Sequence, residues 1–159
     1  MSVKIIIDST TDSIPQVRNR CTVVPLSVRF GDEEFIDGVT LDHVTFYEKL
    51  LASPQLPTTS QPTPDAFSKA YEEALAEHDE ALVLTLSSDL SGTYQSASIA
   101  ALDFPDKVFV VDTRNVAIGA GILTELALNL ADEGRSAKEI AQIIISEREK
   151  VIIFAMADT

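Results

Sequence analysis

The chain has 159 residues, 45% of them hydrophobic, and a formal net charge of -13 from 12 basic and 25 acidic side chains. That length suits one domain with a substantial core and leaves little room for two. The acidic balance, with basic residues scattered rather than gathered in a stripe, excludes nucleic acid and anionic membrane surfaces as expected partners.

The opening MSVKIIID lacks the basic flank and long apolar run of a secretion signal, and the lone Cys21 makes no internal disulfide, so the cytoplasm is the expected location. Val3 to Ile7 is a β-branched run ending at Asp8, which fits a strand buried on both faces of a parallel sheet. Thr22 to Phe30 reads as a second strand. Pro54, Pro57, Pro62 and Pro64 make the stretch from Leu51 to Pro64 an ordered or semi-rigid loop. Thr63 followed by Pro64 and Asp65 opens a helix that runs through about Glu77. Ala81 to Leu86 and Val108 to Val111 are further strands, with a helix from about Thr93 to Ala101 between them. Val116 to Ala131 is strongly apolar but is broken by Gly119, Gly121 and Glu125, so it predicts a buried helix and no membrane span. Gly134 closes that helix, and the capping box from Ser136 to Glu139 opens another from about Ala137 to Lys150. Val151 to Ala155 reads as a last strand. The alternation predicts an α/β fold, an open, mostly parallel sheet with helices on both faces.

In such a sheet, ligands gather at the carboxyl ends of the strands. Three polar clusters fall there: Asp8 to Asp12, Ser87 to Thr93, and Asp112 to Asn115. The Pro57 to Pro64 loop can join them. The second cluster places hydroxyls, a glycine and free amides before a helix, without lysine or arginine. That suits a carboxylate better than a triphosphate, and it equally suits an ordinary helix cap. Asp8, Asp12 and Asp112 have the types and positions to hold Mg²⁺ for phosphoryl transfer, although capping and turns are the commoner use of such residues. His43 and His78 are isolated and read as surface residues. Common nucleophile, zinc and phosphate-loop motifs do not occur in the sequence.

Together, IIIDSTTDSIP at 5–15, DGVT at 37–40, PTTSQPTP at 57–64, SSDLSGTYQSA at 87–97 and VVDTRNVAIGAG at 110–121 resemble the DegV family over essentially the whole chain. PTTSQP followed by LSGTYQSA is the specific pair. The resemblance implies a Rossmann-like amino-terminal domain over residues 1–159 and a non-catalytic protein that binds a long-chain fatty acid. It implies neither a metal nor any cofactor beyond that ligand. Carried onto matching positions, it implies a carboxylate held by Thr59, Ser60, Ser91, Gly92 and Thr93, with Thr59 and Ser91 foremost and Asp8, Ser9 and Thr10 in support. It further implies a kinase partner that makes the acyl-phosphate. Family members run on into a second domain of similar length, so the resemblance implies a chain cut near that domain, with an exposed apolar face favouring self-association.

Overall fold

β1 (Val3–Asp8) is an inner strand because its apolar residues are buried on both sides of the sheet, Ile5, Ile6 and Ile7 all being essentially inaccessible. The computed structural model describes residues 2–154. After β1 come α1 (Pro15–Arg18), β2 (Thr22–Val24), β3 (Ser27–Phe30), β4 (Glu33–Ile36), α2 (His43–Ala52) and β5 (Thr58–Ser60). The chain continues through α3 (Pro64–Glu77), β6 (Glu80–Thr85), α4 (Thr93–Ala101), β7 (Val108–Asp112), α5 (Ala117–Asp132) and α6 (Ala137–Glu147), which tightens into a 3-10 turn at Arg148–Lys150.

The main sheet is parallel throughout, in the order β2-β1-β6-β7. Alternation along the strands separates two cores. Ile5, Ile7, Leu82, Leu84 and Val111 pack under α5 and α6 through Leu123, Ala127, Ile140 and Ile144. Ile6, Ala81, Val83 and Val108 face the other way, against Phe67 and Tyr71 of α3 and Ala97 and Ala100 of α4. Helices therefore cover both faces, as the sequence pattern requires.

The helix ends obey local chemistry. The Thr63 side chain accepts from the Ala66 amide at 3.2 Å ahead of Pro64, and Ser136 and Glu139 complete the reciprocal capping box. Gly134 takes the left-handed conformation (φ 82°) that closes α5. Gly121 is needed for a different reason. A Cβ there would lie 1.9 Å from the Asp12 backbone oxygen, so α5 can approach the loop after β1 only without a side chain. Gly121→Ala is expected to cost about 2 kcal/mol of stability by overpacking, read as a lowered chemical-denaturation midpoint.

Three expectations need correction. Thr22 to Phe30 is not one strand: β2 ends at Val24, and after Pro25 the chain leaves the main sheet to begin β3. β3 forms a separate antiparallel sheet in the order β4-β3-β5. Its first hairpin turns at Gly31-Asp32, with Gly31 at φ 58°. β5 lies inside the proline-rich segment read as a loop, pairing Thr59 with Val28. With α2 this sheet encloses its own small core of Val28, Phe30 and Leu41, supported by Phe35, Phe46 and Leu50. The third correction concerns the end of the described chain. Residues 151–154 are not in a strand; Ala155 lies outside the described residues.

Candidate functional site

The first strand is also the pivot of the main sheet, since β2 lies on one side of it and β6 on the other. Loops leaving β1 and β6 at their carboxyl ends therefore diverge and open a crevice. The cleft found there has a volume of about 610 Å³. From the main sheet come Thr10, Leu86, Leu90, Ser91 and Gly92; from the small sheet and its connections come Leu26, Thr59, Ser60 and Gln61. Among the described residues no charged side chain lines it.

Of the residues singled out in the sequence, Thr59, Ser60, Ser91, Gly92 and Thr10 meet on this cleft. Two segments some thirty residues apart thus converge, β5 from the small sheet and the amino-terminus of α4 from the large one. Thr93 sits behind the wall. It is fully buried, and its hydroxyl lies 2.9 Å from that of Ser91, which also accepts from the Thr93 amide at 3.3 Å. Thr93 thereby orients Ser91, which lines the cleft beside Gly92 at the start of α4.

Asp8 and Ser9 hold the frame. One Asp8 oxygen accepts from the amide and hydroxyl of Thr10, at 3.0 and 2.6 Å, and the other from the Leu86 amide at 2.7 Å. A single buried carboxylate therefore ties the β1 loop to the end of β6. Burial pushes its pKa up from the ordinary aspartate value, outweighing the downward pull of those hydrogen bonds and of the Arg18 charge. The Ser9 hydroxyl accepts from the Leu26 amide at 3.1 Å, pinning the start of the small-sheet segment.

Asp112 does similar work one strand further along. It accepts from the amide and hydroxyl of Ser88 at 3.2 and 2.6 Å, and from the Arg114 amide at 2.8 Å. The Asn115 carbonyl accepts from the Ser87 amide at 2.8 Å, so the loop bearing Ser91 is braced against the loop after β7. That brace contains Arg114 and Ala117, both at φ 50°, a left-handed conformation that costs a non-glycine residue roughly 1 kcal/mol and persists only where the surroundings impose it. The carboxylates of Asp8 and Asp112 are thus engaged with amides and hydroxyls on separate loops. No group of three or more metal-ligating acidic, His or Cys side chains occurs among the described residues. His43 begins α2 beside a different hollow, and His78 caps the end of α3 with its ring nitrogen 3.2 Å from the Ala74 carbonyl.

Four cleft residues are not marked by the sequence: Leu26, Leu86, Leu90 and Gln61. Leu26 and Leu86 fall in the predicted strands and Leu90 in a polar cluster, and no local signal marks any of the three as lining. Gln61 stands inside the PTTSQP motif, but its role depends on Ser96, its hydrogen-bond partner at 3.0 Å.

No helix among the described residues is long and apolar enough to cross a membrane. Comparison with known proteins places this geometry. The model of the family described as "Uncharacterised protein, DegV family" matches residues 2–159. A DegV domain-containing protein of Deinococcus radiodurans is 40% identical over 146 residues, which is 91% of this chain and 52% of that protein. A Thermus thermophilus DegV family protein, solved in connection with fatty acid binding, superimposes with a TM-score of 0.85 at 36% identity, over 94% of this chain and 54% of that one. The Streptococcus pneumoniae Fatty Acid Kinase (Fak) B3 protein, loaded with linoleic acid, gives a TM-score of 0.79 at 28% identity, over 94% and 55% of the two chains. The chain spans about half the length of these relatives. A match along almost its entire length, with the same α/β architecture, shows that the chain belongs to the DegV family.

Proposed function

We propose that the cleft holds the carboxylate of a long-chain fatty acid, and that this protein carries the fatty acid without acting on it chemically. The observation that supports this most is the lining itself: the hydroxyls of Thr59, Ser60 and Ser91 and the backbone at Gly92 face leucine side chains, with no cation among them. Hydroxyls and amides orient a carboxylate, whereas an arginine clamp would bind it more tightly and hinder release. Affinity then comes from the tail, at about 0.8 kcal/mol for each methylene removed from water. Relatives solved with linoleic acid or for their fatty acid binding carry the same fold.

A carrier of this kind leaves its carboxylate for another enzyme. The Fak B3 likeness supports a fatty-acid kinase as that partner, acting in the cytoplasm on the bound ligand. The aspartate and Mg²⁺ alternative finds less support, because Asp8 and Asp112 already spend their oxygens on the protein's own amides and hydroxyls.

Native mass spectrometry of the purified chain, before and after addition of palmitic acid, tests the reading. The expected result is a 1:1 adduct and no ATP turnover when Mg²⁺ and ATP are supplied. Metal-dependent turnover without an adduct would replace the carrier by the enzyme.

A further inference from the structure

We infer that Gln61 is a positioning residue, a latch that sets how closely the small sheet's half of the cleft approaches the α4 half. The small sheet and α2 form a unit with their own core, distinct from the two cores of the main sheet. Among the described residues, the hydrogen bonds that leave 26–61 for the rest of the chain lie at its two ends. The Leu26 amide donates to Ser9, and the Gln61 side chain donates to the Ser96 hydroxyl at 3.0 Å. The first sits at the hinge beside Pro25. The second lies next to the cleft, joining the strand that carries Thr59 and Ser60 to the helix that follows Ser91 and Gly92.

The partner is built to receive it. Ser96 is 3% exposed on the first turns of α4, although Gln61 itself is open to solvent. Gly92 leaves the space: a Cβ there would fall 2.2 Å from the Gln61 side-chain oxygen and 2.7 Å from its nitrogen. Glycine at 92 therefore admits the Gln61 amide over the helix start, where any side chain would push it off Ser96. A bond of this kind at a partly exposed position adds little to global stability. It suffices to bias a unit tethered elsewhere by a hinge. Closed, the latch brings Thr59 and Ser60 to face Ser91; open, the cleft widens and a head group held from both sides loses half its partners.

This inference rests on the head-group reading for its ligand arm only, and the test keeps the two apart. Nitroxide labels at Glu48→Cys in α2 and Glu73→Cys in α3, in a Cys21→Ser background, report the separation of the two units by electron–electron resonance. Gln61→Met keeps the volume over Gly92 and removes the hydrogen bond; Ser96→Ala removes the acceptor. Each is expected to broaden or split the distance distribution while the unfolding midpoint stays near that of the parent. Palmitic acid is expected to leave about tenfold faster, the factor that about one net hydrogen bond supplies. A distribution unchanged in both variants, or a lowered midpoint with no broadening, overturns the latch. If the parent binds no palmitic acid, the head-group reading fails, and the distance measurement still decides the latch.

Discussion

The Thr59→Ala, Ser91→Ala double variant is expected to bind palmitic acid about a hundredfold more weakly than the parent and to lose about 1–2 kcal/mol of stability, because the buried Thr93 hydroxyl loses its Ser91 partner. Each hydroxyl donates to a charged acceptor in the proposed complex, a bond worth at most about 1.5–3 kcal/mol and less where solvent reaches it. Discounted to about 1.4 kcal/mol, each loss is tenfold in affinity. Thr59 is exposed and Ser91 half-buried, so removing either leaves no buried cavity. Titration calorimetry with palmitic acid, run beside its methyl ester, separates head from tail. The ester should bind parent and double variant alike, because it lacks the charge that the hydroxyls meet. Equal loss of acid and ester would mean that the two residues shape the tail path, and unchanged acid binding would remove the head group from this cleft.

Asp8→Asn should be the most damaging polar substitution at the sheet edge, costing about 2–4 kcal/mol. The aspartate accepts on both oxygens, from Thr10 and from the Leu86 amide. An asparagine amide presents one acceptor and one donor, so one buried N–H would face another N–H. The pH dependence has a definite sign. Because burial raises the folded-state pKa above the unfolded value, the Asp8 contribution is fully present below the ordinary aspartate range and declines as pH rises through the raised value. The stability gap between parent and Asp8→Asn should therefore narrow from acid toward neutral pH. Urea denaturation at a series of pH values checks it; a gap that widened over that interval would show that the hydrogen bonds outweigh burial.

The carboxylate role proposed for Thr59 and Ser91 follows from the motif resemblance, whereas the bracing roles of Asp8 and Thr93 were not legible in the sequence. Asp8 and Thr93 stand in the same hydroxyl-rich clusters as Thr10 and Ser91, yet both are fully buried and support the wall from behind. Residue type at a strand end marks the neighbourhood of a site. Which side chain turns into the cleft depends on what packs behind it.

What the sequence by itself determined is local. The β-branched runs gave β1, β6 and β7, Thr63-Pro64 and the Ser136 box gave the starts of α3 and α6, and the motifs at 57–64 and 87–97 gave the family. Those signals lie within a few residues of one another, where hydrophobic periodicity and capping chemistry act. Only the tertiary structure decided that β3 leaves the sheet of β2, that a proline-rich segment supplies β5, and that Gln61 meets Ser96 over Gly92. Those outcomes depend on pairings between segments far apart in the chain, which local propensity leaves open and which packing and backbone hydrogen bonding settle only when the whole domain closes.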